Sequence, residues 1–462
     1  VSRSDRIPLT ALQQGMLFHH LRHPGAGVDF EQVTVALPIA PEPARLEAAW
    51  AVVAARHSML RAQLLWEGVT EPVAEVLGDG RVAVEQLDWR GVPAEERERR
   101  LETLLAEERA EPRALDRAPL HRLRLVRIAD ERATLVWSFP HVLLDGRSFP
   151  HVLDELFRAL AGEPLPPAPR SFEAHTAHLA ARPIGDERAF WREYLDGLEG
   201  PTPLPLPRTG PLAEPRWTEA EIVLSEAETA ALRDLATRTR TSLGTVVHGA
   251  WAIALARLTR ERAVTFGSVR SGRRTSVPDA DRIVGTFINS LPVRTDVDRE
   301  APLGQWLDGL RANLRRSLPF EQAPLVELGR LARLPNGVPL FETLVVYDHA
   351  SLQGALEALD PRHATLRARL HERTAYPLTL YAYGEPRLQL RLSVDEARLE
   401  DGAARRLGAV VAALLRAMPA HEERPIGDLP LLDEAALREL LGKTASGPTL
   451  RQPAATLHAL IS

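Results

Sequence analysis

In the stretch SFPHVLLDGRSFP, Ser138 to Pro150, an apolar strand gives way to a histidine and then to an aspartate and a glycine. An imidazole suits proton transfer at neutral pH, because its unperturbed pKa is about 6.5. A short loop leaving a strand end lets a rigid scaffold aim such a side chain into a cleft. His141 is therefore the candidate catalytic residue. Asp145 and Gly146 form a turn, and Ser148 stands where it caps a helix over Phe149 to Ala161. Taken alone, the pattern equally describes a loop histidine beside an aspartate that merely holds a turn.

Other patterns carry less. His19, His20 and His23 lie close together, but no further ligand set accompanies them, so no metal site is expected. With no cysteine in the chain, disulfides, thiolate zinc sites and cysteine nucleophiles are excluded together. HERTAY from His371 and HEERP from His421 lack the second histidine of a zinc protease helix, and no GxSxG elbow occurs. LGKTASG around Lys443 lacks the spacing of a phosphate-binding loop.

The elements that must position His141 alternate between helical and strand periodicity along the whole chain, which predicts a mixed α/β architecture. Helices are expected over Glu42 to His57, Ala94 to Ala110, Glu226 to Arg238, Ser242 to Leu258, Pro302 to Leu318 and Leu399 to Arg416. Strands are expected over Leu60 to Trp66, Val82 to Trp89, His121 to Ala129, Ala133 to Phe139, Ala263 to Val269, Leu340 to Asp348, Pro377 to Tyr383 and Arg387 to Val394. Ser171 to Gly200 reads as two helices, with Phe190, Trp191, Tyr194 and Leu198 in the core. The proline-dense segment Gly162 to Arg170 cannot continue a helix and marks a lobe boundary. The expected division is a first lobe over 1–170, a second over 171–432, and a linker over 433–462.

A chain of 462 residues exceeds what one core usually supports, which agrees with two lobes and a working cleft between them. Apolar residues at 45% and charged residues at 26% describe an ordinary folded protein. A net charge of -5 argues against a nucleic-acid partner, which would need a basic surplus. No apolar stretch reaches membrane-spanning length, and the first residues lack a signal-peptide pattern, so a cytoplasmic home is expected. Both ends read as cut from a longer chain.

Ordered blocks extend the argument beyond His141. Ser138 to Pro150 resembles the HHxxxDG motif of nonribosomal peptide synthetase condensation domains, with His141, Asp145 and Gly146 matching its second histidine, aspartate and glycine. Pro140 stands where the first histidine would be. Pro8 to Gln32, Arg56 to Arg61, Val264 to Arg273, Val284 to Arg294, Leu318 to Gln322 and Pro339 to Asp348 resemble further blocks of that family in the right order. Arg424 to Leu432 looks like the exit toward an adenylation domain.

The resemblance implies two lobes similar to chloramphenicol acetyltransferase, set in a V with a tunnel between them. Upstream donor and downstream acceptor peptidyl carrier proteins would dock at its two mouths and bring thioesters on phosphopantetheine arms to His141. No metal and no tightly bound cofactor is implied, and the excised domain is expected to be monomeric. Asp145 would hold the loop through an ion pair, with Arg273 as the candidate partner, and such a buried pair is costly to break from one side. Gly146 would permit a backbone conformation or close approach that a side chain blocks. Asn289 is expected near the tunnel as a hydrogen-bond donor.

The activity implied is amide bond formation. An acceptor α-ammonium group, with a pKa of about 7.7 to 8.0, must lose a proton before it attacks a thioester. His141 would serve as base or would position the amine. The competing readings are a catalytically silent platform that recruits a tailoring enzyme, for which Pro140 is the main support, and an epimerisation-type relative. Heterocyclisation is disfavoured because its paired-aspartate motif is absent.

Overall fold

The computed structural model describes residues 5–210, 216–335, 337–433 and 437–438 of the chain. The architecture is mixed α/β, with three sheets. The five-stranded sheet runs in the order Arg367–His371, Phe30–Leu37, Ala133–Pro140, Arg122–Arg127, Val84–Asp88, and only its last pair is parallel. The six-stranded sheet has the order Asn289–Asp296, Ala263–Arg270, Thr343–Ala350, Leu378–Glu385, Gln389–Asp395, Trp217–Val223. A small antiparallel sheet pairs Val73–Val76 with Asp5–Pro8 and Ala62–Leu65.

Strand Ala133–Pro140 explains how His141 is aimed. Residues two apart share a sheet face, so Trp137 and Phe139 project together, their ring centroids 4.4 Å apart. They pack against Trp50 of helix Pro43–Arg56 and Phe149 of helix Ser148–Ala161, with Phe139 and Phe149 edge to face at 5.1 Å. Ser138 faces the other way, and its hydroxyl donates to Glu108 Oε2 (2.8 Å) on helix Ala94–Ala110. Helices therefore cover both faces of this sheet. Strand Phe30–Leu37, second from its edge, is buried on both sides and shows no polar/apolar alternation in its burial.

The second core surrounds helix Leu243–Thr259, which is buried from Leu243 to Ala256 and needs no polar face. The expected boundary at residue 170 separates the sequence more cleanly than the packing. Strand Arg367–His371 pairs with Phe30–Leu37 at the edge of the first sheet, and Phe172, Phe287, Leu356 and Leu366 belong to the first core. Of the expected 433–462 linker, only residues 433, 437 and 438 fall within the described residues. No helix among the described residues is long and apolar enough to cross a membrane.

The core holds several neutral histidines. Burial pushes His121 down to about 3 and His248 and His371 down to about 4, the latter two helped by nearby arginines. Trp137 Nε1 donates to His121 Nδ1 at 3.1 Å, which requires that nitrogen to be unprotonated. Each of these folded-state pKa values lies below the unfolded value of about 6.5, so the unfolded chain binds protons first as pH falls. Stability is expected to decline as pH is lowered from about 6.5 toward 4, before most carboxylates titrate. The urea midpoint measured across that window should fall in the wild type and fall less in His121→Asn, whose amide oxygen replaces the acceptor without titrating.

Candidate active site

His141 is the first residue beyond strand Ala133–Pro140, and its ring orientation is set by its own loop. Nδ1 lies 2.7 Å from the Leu144 carbonyl oxygen, an acceptor only, so Nδ1 carries the hydrogen and donates. In the neutral ring Nε2 then bears the lone pair. The backbone is held as well: His141 N–H donates to Asp29 O (2.9 Å), and Thr286 Oγ1 lies 3.1 Å from the carbonyl oxygens of both His141 and Val142. The side chain is 15% exposed, and that exposure faces a cavity of about 1170 Å³. Both halves of the chain line this cavity, with Asp29, Glu31 and His141 from the first and Ser290, Tyr376 and Tyr347 from the second.

Asp145 faces away from the cavity and is fully buried. Its Oδ1 accepts from Arg273 Nη2 at 2.6 Å and from the Ser148 N–H at 3.2 Å, and its Oδ2 accepts from the Phe287 N–H at 2.9 Å. Arg273 is equally enclosed: it donates to the carbonyls of Ala280 and Ile283, and its guanidinium stacks 4.2 Å from the centroid of Phe287. The loop of His141 is thus tied to segments of the second half by a charge pair whose remaining hydrogen-bonding sites are largely used.

Two expectations need amendment, and a third is met in part. Ser148 does not cap its helix, which begins at Ser148 itself with no side-chain cap. Its hydroxyl instead sits between Asp145 Oδ1 (3.0 Å) and the Gly285 carbonyl (2.9 Å) and accepts from the Gly285 N–H (3.1 Å), because the aspartate and the second half compete for it. Gly146 has neither a left-handed backbone nor a crowded α-carbon; an added Cβ would meet nothing within 4 Å. It borders the cavity instead. Asn289 also borders the cavity, but its amide donates to the Glu321 (3.0 Å) and Ala323 (2.8 Å) carbonyls, and its oxygen accepts from the Ser290 N–H.

The principal residue missed from sequence is Glu31. It lies opposite Phe139 on the neighbouring strand, and its Oε1 is 3.8 Å from His141 Nε2. Burial raises its pKa, and His141 offsets only part of that rise. Burial lowers His141, yet the charges of Glu31 and Asp29 with the Leu144 hydrogen bond outweigh it, so its pKa rises overall. A signal was present: Glu31 has the same parity as Val33, Val35 and Leu37, so a carboxylate stands on an apolar strand face. Among the described residues, the group able to approach a metal is Asp154, Asp360 and His363, whose carboxylates are already paired with Arg158 and Arg362.

Comparison with known proteins gives the family and the fold. The family model described as Condensation domain matches residues 3–441, and the chain belongs to that family. It is 36% identical over 445 residues to one of the linear gramicidin synthase proteins of Brevibacillus parabrevis, covering 94% of this chain and 8% of that protein. Surfactin synthase subunit 3 of Bacillus subtilis (strain 168) is 26% identical over 445 residues, covering 95% of this chain and 35% of the relative. The chain thus spans less than a tenth of each of the three linear gramicidin synthase proteins that it matches. Among solved structures, the X-domain from teicoplanin biosynthesis is similar with a TM-score of 0.77 at 21% identity, covering 94% of this chain and 99% of that one. A starter condensation domain of rhizomide synthetase gives 0.77 at 19%, covering 92% and 98%.

Removing one member of the Asp145–Arg273 pair leaves a buried charge uncompensated. Asp145→Ala is expected to lose about 3–5 kcal/mol of stability in urea denaturation. Gly272, just before Arg273, has φ +65°, and a Cβ there would overlap the Phe287 carbonyl and the Gln322 amide. Gly272→Ala is expected to cost about 3 kcal/mol by the same measurement, whereas Gly146→Ala should leave stability within about 0.5 kcal/mol of wild type.

Proposed function

We propose that this domain forms an amide bond between a donor acyl or peptidyl thioester and an acceptor aminoacyl thioester, both carried on phosphopantetheine arms of carrier proteins. The observation that carries this reading is the state of His141. Its Nδ1–H is committed to Leu144, while Nε2 faces a cavity with walls from both halves of the chain.

A thioester is already activated, so the nucleophile is what the site must prepare. His141 takes a proton from the acceptor ammonium through Nε2, and the freed amine attacks the donor carbonyl carbon. The new C–N bond forms, the C–S bond breaks, and the second amine proton leaves with the thiol. Holding both thioesters in one cavity makes the encounter effectively intramolecular, which supplies a large share of the rate. Asp145 and Arg273 act as positioning residues that fix the loop. Asn289 acts as a wall buttress, and Gly146 keeps that wall low. The partners are an upstream donor carrier, a downstream acceptor carrier and an adjacent adenylation domain.

Pro140 favours a second reading, a silent platform. An X-domain from teicoplanin biosynthesis, similar to this chain, has been solved in complex with OxyB. Retention of His141 with its free Nε2 and of the Asp145 network speaks for the catalytic reading. Proline at 140 is also accommodated: its carbonyl accepts from the Leu143 N–H, and the strand pairing closes one residue later through the His141 N–H.

Both carriers are to be loaded, mixed with the domain, and followed by intact-mass spectrometry. Wild-type protein should move the donor acyl group to the acceptor, and His141→Ala should slow that step by about 100-fold or more. Absence of transfer by the wild type, with retained binding of a modifying enzyme, would replace the catalytic reading by the platform.

A further inference from the structure

The carboxyl group of Glu31 is the most exceptional polar group on the cavity wall. Its side chain is 2% exposed, and Oε2 has no hydrogen-bond partner among the described residues. Oε1 points across 3.8 Å to His141 Nε2, too far for a hydrogen bond. Burying a carboxyl group without partners is costly, and such a group in a cleft marks a place that a ligand completes.

The backbone holds Glu31 in this position firmly. Asp29, two residues earlier, has φ +55°, a conformation seldom taken outside glycine. Its N–H donates to the Arg373 carbonyl (3.0 Å) and its own carbonyl accepts from His141 (2.9 Å), so the turn is held from both sides. Glu31 follows in register opposite Phe139, beneath the imidazole.

The surroundings favour a cation. Asp29, Glu31 and Glu372 line the cavity beside His141. Glu372 is already used, accepting from Tyr383 Oη (2.9 Å) and Arg391 (2.8 Å). The charge of Arg109, on helix Ala94–Ala110, offsets only part of the rise that burial imposes on the Glu31 pKa. His371 is held neutral by burial, and Tyr381 is a neutral phenol. Among these three carboxyl groups, Glu31 alone has a fully buried oxygen without a hydrogen-bond partner among the described residues.

We infer that Glu31 and His141 together seat the acceptor's α-ammonium group, with Glu31 as its counter-ion and His141 as the group that takes its proton. This rests on the amide-forming reading above and names the subsite of its nucleophile. A nitrogen about 2.8 Å from each acceptor fits across the gap, with an angle of roughly 85° at the nitrogen. The incoming cation favours one negative charge on the pair, which is carboxylate with neutral imidazole, the state able to accept a proton. The ammonium passes one proton to Nε2 and keeps two hydrogens. After C–N formation one of these departs with the thiol, and His141 returns its own to solvent.

The test compares an aminoacyl thioester of N-acetylcysteamine with its desamino counterpart, titrated by NMR into wild type and Glu31→Gln, with His141 followed in histidine-labelled protein. Wild type should prefer the amine-bearing thioester by at least tenfold, and Glu31→Gln should lose that preference. Removal of the neighbouring carboxylate should also lower the His141 pKa by about one unit, a shift that mere loosening of the strand would not produce. Should Glu31→Gln fail to fold, Glu31→Asp, with its carboxylate drawn back by one methylene, should lose part of the preference. An amine preference within twofold of wild type in the folded variant, or none in wild type itself, overturns the subsite. Failure of acyl transfer with the amine preference intact would instead remove the amide-forming reading and leave the subsite standing.

Discussion

The Asp145–Arg273 pair is the constraint on which the rest of the site depends. Two charges buried together repay their loss of water only when most of their remaining polar contacts are made, and here Ser148, Phe287, Ala280 and Ile283 supply those contacts. The pair spans 128 positions of sequence, so it joins the loop that carries His141 to the opposite half of the molecule. The imidazole therefore takes its place relative to both walls of the cavity at once, as the proposed reaction between two separately tethered partners would demand.

The aromatic ladder beneath that loop is the second fixed reference. Trp137 and Phe139 give strand Ala133–Pro140 a rigid underside, and Phe149 continues it into the following helix. The histidine is placed at the end of a packed strand, and only its last few atoms reach the cavity. Close packing of this kind leaves little room for the ring to wander.

How much of this was legible in the sequence follows from what each residue must satisfy. Helices Ala94–Ala110 and Glu226–Arg238 occur with the expected bounds, since their apolar stripes and flanking residues report one-sided burial. The mixed α/β class was readable for the same reason, whereas the His141 loop stood out through its resemblance to the HHxxxDG motif and the ordered blocks around it. Strand Phe30–Leu37 was missed although Val33, Val35 and Leu37 alternate with Gln32 and Thr34, because the run is short and a carboxylate interrupts its apolar parity, and with it went Glu31. Nor does periodicity tell which distant segment completes a sheet. The role of Ser148 was misread because a serine before a helix looks like a cap, whereas a neighbouring carboxylate and a carbonyl from the other half claim the hydroxyl.

The strand Arg367–His371, contributed by the second half to the border of the first sheet, has a mechanical consequence. With residues 352–371 clasped to the first lobe, the two halves are interlocked like hands with one finger crossed. Severing the chain near residue 170 would strip strand Phe30–Leu37 of its outer neighbour and bare a row of unpaired amides and carbonyls. A fragment ending there would present an adhesive border, ready to recruit any extended chain in place of the missing one.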